Sequence, residues 1–166
     1  MNSFALMARF NGWANGVLYG SVAELSEEAY KAERKAFFGS IHNTLNHLLV
    51  VDRLWAARIE EVEHGIQSLD QILFEDFESL RAARDQEDKR LIALVERLGD
   101  EELATPVAYR RMTNNGTNKT RRDHMLLTLF NHQTHHRGQV HALLTQQDVS
   151  PPPLDVIDFL EEIGLS

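Results

Sequence analysis

Between Ile41 and Trp55 the chain reads IHNTLNHLLVVDRLW. At about 100° of rotation per residue, Ile41, Leu45, Leu48, Leu49, Val50, Val51, Leu54 and Trp55 spread around nearly the whole helix instead of lining one stripe. Such a helix is stable in water only when other elements surround it, so the segment from about Ser40 to Val62 must be the centre of a helical assembly. The rest of the chain supplies the surroundings. Helical spacing of Phe4, Met7, Ala8, Asn11, Val17 and Leu18 predicts a first helix from about Ser3 to Ala23, and Gly12 and Gly16 within it suggest close packing against a neighbour.

A Glu-rich connector, LSEEAYKAER, leads from the first helix to the second. Ser68 then reads as an N-cap for a third helix over about Leu69 to Leu98, ended by Gly99. Its buried stripe is Phe74, Phe77, Leu80, Leu91, Leu94, Val95 and Leu98, with a charged middle, ESLRAARDQEDKR. Between Pro106 and Arg122 the helical period is lost, and VAYRRMTNNGTNKT, with Asn115-Gly116 as a turn signal, reads as an irregular hairpin or loop. A fourth long helix follows from about Arg122 to Gln147. SPPP at Ser150–Pro153 stops it, and a short helix from about Leu154 to Ile163 closes the chain. Four long helices with one structured excursion predict an all-α four-helix bundle, residues 1–166 forming a single domain.

Composition narrows the function. Hydrophobic residues are 43% and charged residues 25% of 166, with no run of roughly 18 apolar residues, so no membrane span is expected. The opening MNSFALMARFNGWANG lacks a basic leader and an apolar h-region, which predicts no signal peptide and a cytoplasmic location. The N-x-T triplets at Asn115 and Asn118 then carry little meaning. Cysteine is absent, which excludes disulfides, a thiol nucleophile and Cys-type zinc sites. The net charge of −8 disfavours a nucleic-acid partner. Arg110, Arg111, Lys119, Arg121 and Arg122 do share an acid-free window, which reads as a solvated loop face or a contact for an anionic small molecule.

The stretch LFNHQTHHRGQVHALL, Leu129–Leu144, holds four of the eight histidines. Residues four apart share a helix face. His132 and His136 interrupt the apolar stripe Met125, Leu129, Val140 and Leu143, one turn apart, in the arrangement by which one helix chelates a divalent ion. A pair of buried neutral imidazoles with hydrogen-bond partners is the plainer reading of the same spacing. His135 falls on a strip with Thr128 and Asn131, His141 aligns with Thr134 and Arg137, and His124 stands at the polar start of the helix; all three are expected at the surface or in capping roles. A third ligand must come from another helix, where His42 and His47 both qualify but, five residues apart, cannot both face one site. Periodicity does not choose between them. HQTHH has the histidine spacing of H-E-x-x-H zinc proteases, yet Gln133 replaces the catalytic acid, and a carboxamide cannot take up the water's proton.

Taken together, FNGWANGVLYGSVAELS, FFGSIHNTLNHLLVVDRLWAARI, LRAARDQEDKRLIALVERL and LFNHQTHHRGQVHALLTQQDVSPPPLDVIDFL resemble the DinB-like family of bacterial four-helix proteins, which shares a superfamily with YfiT-type thiol transferases. The family name refers to damage-inducible expression and not to the unrelated DNA polymerase. The resemblance implies a bundle with one divalent ion on three histidines: one from the second helix, in the position of His47 within NHLLVVDRLW, and two from the H-x-x-x-H of the fourth, His132 and His136. It also implies a homodimer. Zinc or nickel suits three imidazoles first, manganese or iron next.

Three neutral imidazoles leave coordination positions open, the mark of a catalytic or ligand-binding site more than of a structural one. The related proteins imply transfer of a low-molecular-weight thiol, or a hydrolytic reaction, on a small-molecule substrate. A non-catalytic stress protein that binds metal or a small ligand is the alternative. A pocket opening onto the ion would favour the enzyme, and a fourth ligand such as His42 or Asp52 the binding protein. Arg137 is a candidate contact for a substrate carboxylate or a salt bridge between helices.

Overall fold

A computed structural model describes residues 3–114, 116–147 and 149–165. Asn115 of the turn signal lies outside them. Helix α1 spans Ser3–Val22 and α2 Glu27–Lys31, α3 is Ile41–Glu60, α4 Phe77–Arg97, α5 Asp100–Ala104, α6 Arg122–Thr145 and α7 Val156–Glu162. The four long helices α1, α3, α4 and α6 form the bundle. α1 packs on α4 and α6, and α3 on α6 and α4. The expectation for α3 holds: of its twenty residues, all but a few are buried, and its start is set by Ser40, whose hydroxyl accepts from Asn43 N at 3.0 Å. Gly39, at φ +80°, makes the turn that brings Phe38 back over this helix.

The third long helix begins later than the spacing predicts. Its cap is Asp76, accepting from Ser79 N at 2.8 Å, and not Ser68. Tertiary contacts outcompete helix formation between Leu69 and Glu75. Asn46, fully buried on α3, accepts the backbone N–H groups of Leu73 at 2.9 Å and Phe74 at 3.0 Å and donates to the Phe74 carbonyl at 3.1 Å. These backbone groups are satisfied without the intrahelical ladder. Phe74 still packs on the core, but from an irregular segment. The Glu-rich connector holds α2, capped by Ser26, with Tyr30 buried, and Gly99 leads into α5 instead of a loop.

The excursion after α5 is regular. β1, Pro106–Arg110, pairs antiparallel with β2, Thr117–Arg121, with Pro106 opposite Arg121 and Arg110 opposite Thr117. Val107 faces the core, and Tyr109 meets Trp55 of α3 edge-on with ring centres 5.5 Å apart. Gly12 does lie against α4, where an added Cβ would stand 3.5 Å from that of Asp88; Gly16 faces open space, so its expected packing role is not found.

The core is apolar at both ends and polar across the middle. One cluster joins α1, α3, α4, α6 and the hairpin around Ile59, Leu91, Val95 and Met125; another joins the opposite ends of the same helices around Leu18, Leu45, Leu80 and Val140. Between them, the middle of each long helix contributes buried polar groups. Arg84 pairs with Asp52 at 2.7 Å and Asp88 at 2.9 Å, Asn15 donates to Asp88 at 2.9 Å, and Gln133 donates to Asp52. Arg137 donates to Asn11, to Asn15 at 3.2 Å and to Gln133 at 3.2 Å. Two carboxylates and two guanidiniums make the belt neutral overall, the arrangement that makes buried charge tolerable. Part of the charged middle of α4 is therefore interior. Arg137, buried among amide oxygens, belongs to this belt and does not line a cleft.

Candidate metal centre

The groove between α3 and α6 brings together His47, His132 and His136. One nitrogen from each lies within 4.8 Å of the others. α6 supplies two of the rings because i and i+4 share a face, and their centroids are 4.3 Å apart. α3 supplies the third, with His47 Nε2 3.0 Å from His132 Nε2. The alternative left open by periodicity, His42, points elsewhere: its Nδ1 is 3.0 Å from the Tyr30 hydroxyl.

Neighbouring groups set the tautomers of two rings. His47 Nδ1 donates to the Leu69 carbonyl at 2.7 Å, and His136 Nδ1 donates to Gln139 Oε1 at 2.7 Å. Both acceptors are carbonyl oxygens with no proton to give, so each ring carries its proton on Nδ1 and leaves Nε2 unprotonated, the state a metal-ligating histidine needs. His132 Nδ1 is buried with no partner among the described residues. Phe38 stacks on His47 with centroids 4.0 Å apart and covers that side of the cluster. Burial, reinforced by the adjacent imidazoles, pushes His132 down to about 3, and burial pushes His136 down to about 4. His47 shifts the same way, again through burial. All three are neutral near pH 7 and able to donate to a cation. The cluster fits a divalent ion in donor type and tautomer, and no carboxylate joins it among the described residues. Asp52, the fourth ligand considered above, is tied to Arg84 and Gln133.

The remaining histidines stand apart. His135 is exposed and accepts from the Gln139 amide at 3.1 Å; His141 Nε2 donates to the Pro152 carbonyl at 3.1 Å; His124 is exposed beside Asp123. Gln133 is wholly buried and faces the polar belt.

A cleft of about 450 Å³ opens onto His47 and His132. Its floor is one strip of α3, running from His47 through Val51, Leu54 and Trp55 to Arg58. Thr128 of α6 forms one wall, and Tyr109, Arg111, Met112 and Asn118 of the hairpin form the roof. Among the described residues, no aspartate or glutamate lines it. Of the basic window, Arg121 pairs with Asp123 and Arg122 with Glu61, while Arg111 reaches the cleft. The sequence reading missed Leu69, Phe38, Gln139 and Arg58. Gln139 and Arg58 had a usable signal, since they follow His136 by three and His47 by eleven residues on their own helices. Phe38 and Leu69 lie in irregular segments, where no periodicity reports a direction.

Comparison with known proteins identifies a family and a fold for the chain. The profile of the DinB family covers residues 1–164. Protein DinB of Bacillus subtilis (strain 168) is 29% identical over 164 residues, 93% of this chain and 92% of that protein. The crystal structure of a DinB-like protein from Bacillus cereus ATCC 10987 superposes with a TM-score of 0.65 at 17% identity, over 85% of this chain and 90% of the other. A DinB-like protein of Bacillus subtilis gives 0.62 at 19% identity, over 89% and 95%. At these identities the two structures speak for the fold.

Proposed function

The chain belongs to the DinB family, and from that premise we propose that it is a metal-dependent enzyme that activates a small nucleophile, foremost a low-molecular-weight thiol, against a small electrophile. His47, His132 and His136 hold the ion, zinc or nickel before manganese or iron. The observation that carries this reading is the cleft that opens onto two of the three histidines, His47 and His132. A site built only to store metal has no use for a cavity of ligand size there.

A divalent ion, were it held by the three neutral imidazoles, would supply Lewis acidity that eases deprotonation of a thiol or of water near neutral pH. The chain's own residues do the rest. Leu69 and Gln139 orient two of the rings. Val51, Leu54, Trp55 and Met112 give the cleft apolar walls that hold a substrate body and exclude water. Among the described residues those walls hold no carboxylate to act as a general base. That favours a thiol, with an ordinary pKa of about 8.5, over water, which is a far weaker acid to begin with and commonly needs a base as well. The thiol comes from a cosubstrate, because the chain has no cysteine. A cytoplasmic homodimer fits this reading and the family.

The test loads untagged protein with zinc, nickel or manganese and assays conjugation of common bacterial thiols to monochlorobimane, in which the thiolate displaces chloride. About one ion per chain is expected by elemental analysis. His132→Ala loses most of the metal and His136→Ala abolishes turnover, whereas His135→Ala and His141→Ala change neither. Metal retained in every ligand variant would overturn the site. Metal bound with no conjugation, and no hydrolysis of simple esters, would leave a binding protein.

A further inference from the structure

Arg58 is the one deeply buried arginine of the described residues with no acid near it. Arg84 lies between Asp52 and Asp88, and Arg137 sits in the field of the same two carboxylates. Arg58 is only 9% exposed, makes no ion pair, and gives one side-chain hydrogen bond, to the Arg110 carbonyl at 2.9 Å. Its guanidinium packs against the Trp55 and Tyr109 rings, with ring centres at 4.8 and 4.4 Å. The two rings meet edge-on and flank one side of the guanidinium, and of its five N–H donors only the one bonded to the Arg110 carbonyl has a hydrogen-bond partner among the described residues. An arginine held against two rings, without an ion pair among the described residues, in the wall of a cleft is a preformed receptor for an anion.

Its place in the cleft sets the orientation of a ligand. Arg58 lies on the same strip of α3 as His47, and its head leans back about one turn onto Trp55. From the level of Trp55 to that of His47 is eight residues, a rise of roughly 12 Å. Val51 and Leu54 fill the interval, and exposed Arg111, which makes no ion pair, overhangs from the hairpin. The cleft therefore offers a cation at one end, an apolar middle and the histidines at the other.

We propose that this cleft takes a small-molecule carboxylate, its carboxylate seated on Arg58 and Arg111 and its reacting end turned toward His47 and His132. The proposal rests on reading the cleft as the substrate site. A carboxylate matches the site better than a phosphate ester does, because one planar edge and one exposed arginine, with no helix N-terminus contributing, suit a planar monoanion.

The test measures binding and does not depend on turnover. ω-Phenylhexanoate, its uncharged amide and phenylpentyl phosphate are titrated by NMR into the zinc-loaded full chain. Carboxylate is expected to bind about tenfold more tightly than amide, the difference a charge-assisted contact makes. Arg58→Gln should remove most of that preference, and Arg111→Gln part of it. Chelator-treated wild-type protein should keep the preference, so failure of the metal reading and failure of this one are told apart. Should Arg58→Gln not fold, by circular dichroism, Arg111→Gln and the amide comparison decide. Equal affinity for acid and amide, no binding at millimolar concentration, a preference that survives both arginine variants, or tighter binding of the phosphate would each overturn the proposal.

Discussion

His132 and His136 are the residues whose chemistry depends most on their surroundings. In the open chain each titrates near 6.5; in the fold, burial first of all holds them near 3 and 4. Between those values and 6.5 the unfolded chain binds protons that the folded chain refuses. The stability they contribute is therefore present above about pH 6.5 and is lost as pH falls toward 4. From pH 7 to pH 5, metal-free protein is expected to lose about 1–2 kcal/mol for each of them. Urea denaturation at the two pH values checks this, and the His132→Ala/His136→Ala double variant should lose less over the same interval. An equal loss in both proteins would mean that the rings already titrate freely in the fold.

Among the elements, the irregular segment before α4 matters more than its lack of regular structure suggests. Its Leu69 carbonyl orients His47, and Asn46 of α3 holds its Leu73 and Phe74 amides. Asn46→Ala leaves two backbone donors without partners in a part-buried place and should cost about 2–4 kcal/mol. It should also weaken zinc binding about tenfold, because the acceptor that orients His47 is no longer held. Asp76→Ala removes only the cap of α4, costs about 1 kcal/mol, and should leave zinc affinity unchanged. Thermal melts and zinc titrations on the two variants separate these roles; equal effects on zinc would show that the segment does not support His47.

At the scale of the molecule, the three histidines tie α3 to α6 across 85 residues of sequence. An ion there binds the folded chain and not the unfolded one, so it stabilises by mass action. At about a hundred times its dissociation constant the gain is about 2.7 kcal/mol, which for a chain of this size is roughly 5–10 °C. Treatment with a chelator should lower the melting temperature by that amount while the two apolar clusters keep the protein helical by circular dichroism. An unchanged melting temperature would show that the ion contributes nothing to the fold.

Local repetition in the sequence was enough to read the bundle. The all-round apolar α3, the stripe of α6 and the two histidines one turn apart all follow from the helical period, which is a property of neighbouring residues. Choosing His47 over His42 was beyond that period, since either can face inward; the family resemblance named it, and the Leu69 carbonyl and Tyr30 hydroxyl are the partners that separate the two in the fold. The start of α4 was misjudged because Asn46, more than twenty residues upstream, satisfies backbone that would otherwise have joined the helix. Arg84 and Asp88 read as part of a charged helix middle and Arg137 as a cleft contact or a bridge between helices, and only the crossing of four helices at one level brought them into one belt inside. What the sequence determined by itself was each helix and the face it buries, because the spacing of its own residues encodes both. The tertiary structure alone decided which polar groups meet and which cation, Arg58, is left without an acid, because partners remote in sequence leave no periodic trace in it.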